Sequence, residues 1–359
     1  MKIHFYIANL RAGGTQRVTT LLANFFSKRN DVRIIVNDLS KGPYFEIENK
    51  INITDMGLGS DGGSIVRRIF SNIKKIIYIR SEIKRDKPDV IIAQQVEQCI
   101  RVSIASFLLN SKVICCEHSE YYAISSRVVR FFRNFIYFTF VDDLFVLTEI
   151  DKNQYPKVLQ SKISVVPNPL SYSTGLSYEA MREKKEKLII SVGRLSKEKG
   201  FDRLIKFVSL NRDIFSEWKV EIIGGGEEYH SLKESIDKLG VEDIITLVGQ
   251  VKDVKSYYER ASIYIMTSIY EGFGLVLIEA MQSFSPIIAF DSSLGARTIV
   301  NDKKNGFLIK DNDWKNFRYN LDLLMSDHNL RENLARNANR DSNAYRIEEV
   351  MNKWSVYLK

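Results

Sequence analysis

Cysteine is scarce in this chain of 359 residues: Cys99, Cys115 and Cys116 are odd in number and share no metal-ligand spacing with the four histidines. Neither a disulfide framework nor a zinc site is expected, and the usage suits a reducing cytoplasm. Long apolar runs are lacking as well. The most apolar stretch, 131–147, is broken by Arg133, Asp142 and Asp143, and falls short of the roughly 18 to 20 apolar residues a spanning helix needs. Met1 to Leu10 runs directly into strand-like sequence without the charged start and cleavage site of a secretory signal, so none is expected. Internal repeats and low-complexity tracts are missing too. The length accommodates two domains whose cores need no staples.

What is present is unevenly charged. The chain carries 52 Lys+Arg against 44 Asp+Glu, a net +8; residues 1–170 hold 24 against 16 and residues 171–359 hold 28 against 28, so the whole excess lies in the first half. A basic face of that kind suits an anionic partner: a phospholipid surface, a phosphorylated acceptor or a nucleic acid. A merely solvated surface is the plain alternative.

Two series of strands and helices can be read along the chain. In the first, Lys2 to Ile7 is a buried strand, followed by the turn Ala12-Gly13-Gly14 and a helix with Val18, Leu21, Leu22 and Phe25 at helical spacing. Further strands are expected at 32–37, 89–93 and 112–116, with a basic amphipathic helix at 65–84. The second series has strands at 188–192, 219–223, 245–248, 263–266, 287–290 and 306–309. Such alternation implies parallel α/β sheets. Pro167-Asn168-Pro169 and the polar stretch after it mark a junction, which divides the chain into domains at 1–170 and 187–340, a linker at 171–186 and a tail at 341–359 that reads as helical.

The sharpest chemical feature is the run from Tyr270 to Met281, where Glu271, Gly272, Phe273, Gly274 and Leu275 lead into a helix. A helix start offers unpaired N–H groups and a positive dipole end, a ready anion site. Glu279 lies within that helix among Leu277, Ile278, Ala280 and Met281, and a carboxylate there needs a partner. Helical side chains lean toward the N-terminus, so Glu279 either reaches back to ribose hydroxyls or pairs with a neighbouring cation. The loop Gly193 to Gly200 puts Arg194 and Lys199 at a strand's carboxyl end, where open α/β sheets hold their ligands. Gly224-Gly225-Gly226 follows another strand and permits close backbone approach, but lacks the G-x-G-x-x-G spacing of a dinucleotide site. Gly13-Gly14 either approaches a phosphate or makes a turn. His118 in Cys116-Glu117-His118-Ser119 follows a strand and is a candidate for either structure or catalysis. Asp311-Asn312-Asp313 reads as a polar turn rather than a metal-binding pair.

Taken together these residues resemble the retaining GT-B glycosyltransferases of family 4, over nearly the whole chain and most strongly from 188 to 308. The family's two glutamates separated by seven residues are matched by Glu271 and Glu279, its G-R-x-x-x-x-K-G loop by Gly193, Arg194, Lys199 and Gly200, its glycine pair by Gly13 and Gly14, and its histidine by His118. The resemblance implies a GT-B architecture, two Rossmann-like parallel-sheet domains facing a central cleft, the first binding acceptor and the second the nucleotide-sugar, with the tail returning to the first. It implies that Gly14, Arg194, Lys199, Gly274 and Leu275 contact the donor diphosphate, Glu271, Phe273 and Gly274 the donor sugar, Glu279 the ribose, and Gln250 and Val251 the base. His118 and Glu271 would be catalytic. The cleaved diphosphate would be stabilised by two cations and a helix N-terminus without a metal or other cofactor. Where the family often carries an acid after a glycine turn, this chain has Gly295-Ala296-Arg297-Thr298, so contacts there are not carried over.

The expected partners are a nucleotide-sugar, by family frequency UDP-linked, and a lipid-linked saccharide acceptor of O-antigen, capsule or lipopolysaccharide assembly. Arg67, Arg68, Lys74 and Lys75, with Arg130 and Arg133, suit peripheral contact with the anionic inner leaflet; nucleic acid is not expected. Two other readings remain open on sequence: a nucleotide-sugar epimerase of similar fold, and a non-catalytic basic lipid- or nucleic-acid-binding protein.

Overall fold

The computed structural model describes residues 1–59 and 64–358. The chain forms two compact units, Met1–Ser171 with Val350–Lys359 and Tyr172–Glu349. In the first, seven strands β1 (Lys2–Ile7), β2 (Asp31–Val36), β3 (Asn52–Asp55), β4 (Val90–Gln94), β5 (Lys112–Cys116), β6 (Asp143–Val146) and β7 (Ile163–Val165) lie in the order β3-β2-β1-β4-β5-β6-β7. Every pairing is parallel. In the second, β8 (Glu186–Val192), β9 (Lys219–Ile223), β10 (Ile245–Gly249), β11 (Ala261–Met266), β12 (Ile287–Asp291) and β13 (Gly306–Lys310) run parallel in the order β10-β9-β8-β11-β12-β13. Apolar runs such as 188–192 and 263–266 form inner strands because helices cover both faces of each sheet.

Strand order reverses between β1 and β4 in one sheet and between β8 and β11 in the other. At such a switch the flanking connections leave in opposite directions and open a crevice at the strands' carboxyl ends. The helices of the first unit that bear on function are α1 (Gly14–Ser27), α2 (Ile65–Asp86), α3 (Val96–Ser106) and α4 (Arg127–Phe140).

Three strands escaped the sequence reading. The β3 segment is only four residues long and polar at all but Ile53, and β6 and β7 have four and three residues. The segment 131–147 is not one element: α4 ends at Phe140 and β6 begins at Asp143. The stretch read as a linker, 171–186, is a docked part of the second unit. Tyr178 and Met181 in its short helix pack against Phe284 and Ala335. Lys185 carries its ammonium to the carbonyls of Tyr258 and Ser283 and to Ser285 Oγ. Polar composition misled here because the ammonium is satisfied by main-chain oxygens rather than by water. In the tail, Trp354 packs on Phe26 and Phe145, while Tyr357 packs on Phe145 and reaches Ser164 Oγ with its hydroxyl.

Candidate functional site

In the second unit the site is assembled from the carboxyl ends of four neighbouring strands. After β8 comes the loop with Arg194 and Lys199, after β9 the glycines 224–226, after β10 Gln250 and Val251, and after β11 the segment Thr267 to Leu275. Hydrogen bonds to main-chain carbonyls staple the first loop to the last: Ile269 N–H donates to Glu198 O at 2.8 Å, and Thr267 Oγ1 donates to Gly200 O at 2.8 Å. Gly200 has φ +62, and a Cβ there would stand 2.4 Å from Thr267 O, so only glycine permits the approach. The consequence is chemical. Lys199 Nζ donates to Glu271 Oε2 across the β8/β11 switch point, with both side chains less than one fifth exposed. Arg194, largely solvent-exposed, pairs with Glu198 on its own loop.

Gly274 stands at the start of the helix Leu275–Gln282 with φ +88, and among the described residues that helix start has no side-chain cap. Its first turn therefore keeps main-chain capacity for an anion. Phe273 is buried, edge-on to Tyr345. Glu279 is 1% exposed on the same helix. The buried Tyr264 hydroxyl on β11 donates to Val192 O at 3.2 Å. Burial raises its pKa far above the ordinary phenol value, and the nearby Glu271 and Glu279 push the same way. Gln250 is packed against Gly225, where a Cβ would lie 3.0 Å from its Oε1. The glycines 224–226 serve the protein's own packing, since Gly224 lies against the carbonyl of Gly193 and Gly226 against that of Leu195.

In the first unit Gly14 opens α1 immediately after the β1 turn, and His118 follows β5. His118 Nε2 lies 2.5 Å from Gln94 Oε1 at the end of β4. Among the described residues no partner is found for His118 Nδ1. With the amide oxygen opposite Nε2, the neutral ring carries its proton there and keeps Nδ1 as an acceptor for a hydroxyl. Burial pushes the imidazole down to about 4, so it is uncharged at neutral pH. His118 is expected to contribute no inflection to the kcat profile between pH about 5.5 and 8, well above that pKa; a single-proton rise near 6.5, absent in His118→Gln, would contradict this.

A stability change follows from the same burial. His4, 1% exposed on β1, is also lowered to about 4, mainly by desolvation, with Asp86 pulling the other way. A group whose folded pKa lies below its unfolded value binds fewer protons when folded. Its contribution is thus complete above pH about 6.5 and is lost as pH falls toward 4, at about 1.4 kcal/mol per unit for His4. Asp151, raised to about 6 chiefly by burial, acts in the opposite sense below pH 6. With two histidines against one carboxyl, the unfolding midpoint is expected to drop between pH 7 and pH 4.5, and to drop less in His4→Phe. Equal slopes for the two proteins would contradict the assignment.

The residues read as a membrane-facing set do not share one surface. Arg67, Arg68 and Lys74 are exposed on α2, but Lys75 is 1% exposed and donates to Gly59 O at 3.1 Å. Arg133 is likewise 1% exposed, turned inward to Glu117. One residue's step on a helix turns the side chain by about 100°, so adjacent charges cannot all face outward. Arg130 is half-buried, donating to the Ser125 carbonyl. What is exposed instead is apolar: Val66, Ile69, Phe70, Ile73 and Ile77 on α2, and Phe131, Phe132, Phe135 and Phe138 on α4, with Phe131 at 67%. Among the described residues no helix is long and apolar enough to cross a membrane. Asp311 pairs with Arg203, and Asp313 caps the helix Trp314–Ser326. Gln94, Glu117 and Tyr264 were missed in the sequence because nothing in their spacing distinguishes them from core residues.

Comparison with known proteins gives two family matches: Glycosyl transferases group 1 over residues 179–341, and Glycosyltransferase Family 4 over residues 12–173. An uncharacterised glycosyltransferase of Haemophilus influenzae is 33% identical, covering 99% of this chain and 99% of its own. A Campylobacter jejuni protein described as GalNAc-alpha-(1->4)-GalNAc-alpha-(1->3)-diNAcBac-PP-undecaprenol alpha-1,4-N-acetyl-D-galactosaminyltransferase is 29% identical over 99% of this chain and 97% of that one. In fold, the chain is similar to Anabaena HepE, crystallised with UDP and glucose, at a TM-score of 0.80 with 17% identity, covering 100% of this chain and 99% of that one.

Proposed function

Because the chain belongs to the group 1 glycosyltransferases, we propose that it moves a hexose or N-acetylhexosamine from a UDP-sugar to a hydroxyl of a lipid-linked saccharide in bacterial surface-glycan assembly. The observation that carries the donor half is the convergence of Lys199, Glu271 and an uncapped helix start at the switch point between β8 and β11. Lys199 and Arg194 bind the diphosphate, with the main chain of Gly274 and Leu275; by the family pattern Gly14 is assigned to it as well. Glu271 and the main chain of Phe273 hold the sugar hydroxyls, Glu279 the ribose, and Gln250 and Val251 the base. His118 accepts a sugar hydroxyl through Nδ1.

The bond between the anomeric carbon and the diphosphate oxygen breaks, and charge accumulates on the leaving oxygen, where Lys199, Arg194 and the helix dipole stabilise it. The acceptor oxygen bonds to the anomeric carbon from the same face, and its proton passes to the departing phosphate. Configuration is retained without a protein nucleophile. With this positive charge supplied by side chains, turnover needs no metal or other cofactor. The lipid-linked acceptor is supported by the undecaprenol-linked substrate in the description of the Campylobacter relative. It is supported also by the apolar outward residues of α2 beside Arg67, Arg68 and Lys74, which suit peripheral contact with an anionic inner leaflet.

The test incubates the protein with UDP- and GDP-sugars, with EDTA, and with or without a lipid-linked saccharide extract. Acceptor-dependent UDP release, unchanged within about twofold by EDTA, is expected. Strict dependence on added divalent metal would overturn the mechanism, and sugar conversion without acceptor would point to an epimerase. Sedimentation with anionic but not zwitterionic vesicles, weakened by salt, is expected of the α2 surface.

A further inference from the structure

Glu117 lies one residue before His118, and its carboxylate is the centre of a buried polar cage to which the transfer chemistry assigns no part. Its side chain and that of Arg133 are both fully buried. Oε1 accepts from Tyr137 Oη at 2.5 Å; Oε2 accepts from Tyr155 Oη at 2.6 Å and from Arg133 Nη1 at 3.2 Å. The Arg133 guanidinium stands 4.6 Å from the centre of the Tyr121 ring and 5.1 Å from that of Tyr155. Asn134 Nδ2 donates to Tyr121 Oη at 2.9 Å, and Tyr121 N–H donates to Asp151 Oδ1 at 2.8 Å. The cage therefore ties three pieces of the first unit together: the segment leaving β5, the inner face of α4, and the segment 151–155.

Stability alone does not call for this arrangement, because a buried ion pair gains little over apolar packing of similar volume. What it does secure is one path for the backbone. Glu117 N–H donates to Phe145 O at 2.9 Å, and from there the chain turns to present His118. Among the described residues the imidazole has a single side-chain partner, Gln94, and Nδ1 has none. The placement of the ring is thus set largely by the backbone at 117–118. We propose that Glu117 and Arg133 are positioning residues for His118, fixing the strand-end backbone so that Nδ1 meets the substrate hydroxyl. The inference rests on the functional role given to His118 above.

The experiment compares the full-length wild type with Glu117→Gln, Arg133→Met, Arg133→Lys, His118→Ala and the doubles E117Q/R133M and E117Q/H118A. Steady-state kinetics, UDP affinity and thermal midpoints are measured on the same samples. Glu117→Gln and Arg133→Met are each expected to lower kcat about ten- to a hundredfold, since small misplacements of a reacting group cost that much. Donor KM and UDP affinity should stay within about twofold, because, Gly14 apart, the residues assigned to the diphosphate, ribose and base belong to the other unit, and Arg133→Lys should recover part of the rate. The double E117Q/R133M, which leaves no uncompensated buried charge, should regain stability but not kcat. E117Q/H118A should be no slower than His118→Ala, because Glu117 acts through the histidine.

A double E117Q/R133M that regains both stability and rate would make the pair purely structural and overturn the inference, as would additive losses in E117Q/H118A. An impaired His118→Ala beside an unaffected Glu117→Gln overturns the inference alone. A fully active His118→Ala overturns the role of His118 and the inference with it.

Discussion

Lys199→Met is expected to lower kcat for sugar transfer about a thousandfold while the protein stays folded. Loss of one preorganised group that stabilises developing charge typically costs about 2.7 to 4 kcal/mol of barrier. Lys199 meets that description: its side chain is 19% exposed and held beside Glu271, so its charge is partly freed from solvent and already placed. Arg194 is a contrast. It is 64% exposed and paired with Glu198, so Arg194→Met is expected to cost only about tenfold, mostly in donor KM, as a screened surface charge should. Glu271→Gln keeps the shape but frees Lys199 from its carboxylate. UDP affinity should then rise or hold while kcat falls, because a hydroxyl-binding carboxylate is lost. Initial rates and UDP titrations on the three variants test this; Lys199→Met with a tenth or more of the wild-type rate would remove it from the diphosphate role.

Gly224→Ala is expected to destabilise the second unit by about 3 kcal/mol or more, through strain and overpacking together. Gly224 has φ +149, and a Cβ there would lie 1.8 Å from Gly193 O, a main-chain atom that cannot swing aside. Gly225→Ala is the internal control. Its Cβ would meet Gln250 Oε1 at 3.0 Å, which can swing aside, and Gln250 Cβ at 3.1 Å, which has to yield only a few tenths of an ångström. Denaturant unfolding of the two variants should separate them clearly, with the loss in Gly224→Ala confined to the transition of the second unit. The same substitution should weaken UDP binding, since the displaced Gly193 begins the loop that carries Arg194 and Lys199. Equal midpoints for the two variants would show that the β8 and β9 loops tolerate separation.

This contact also shows what was legible in advance. The triple glycine was visible as a place of close backbone approach, but its partner was not, because nothing local to 222–226 names Gly193 as the neighbour. The reading of Lys75 and Arg133 as surface cations failed for a related reason. Charge and helical spacing describe a residue's own element, whereas burial depends on what packs over it. Arg133 is inside because Glu117 and three tyrosines wait there. Conversely, Phe131, Phe132, Phe135 and Phe138 are exposed although their composition suggests a core.

By itself the sequence determined the two parallel α/β series, nine of the thirteen strands to within two residues at their ends besides β1, and the family to which the chain belongs. It did so because strand and helix periodicities and the G-R-x-x-x-x-K-G and two-glutamate spacings are local patterns, written within one element and its adjoining turn. Only the tertiary structure decided that Lys199 and Glu271 form a pair, that the Tyr264 hydroxyl is spent on Val192, that His118 leans on Gln94 with Glu117 caged behind it, and which cations face outward. Each of those facts joins residues brought together by strand order and by main-chain approach, and neither is encoded in the spacing along a single segment.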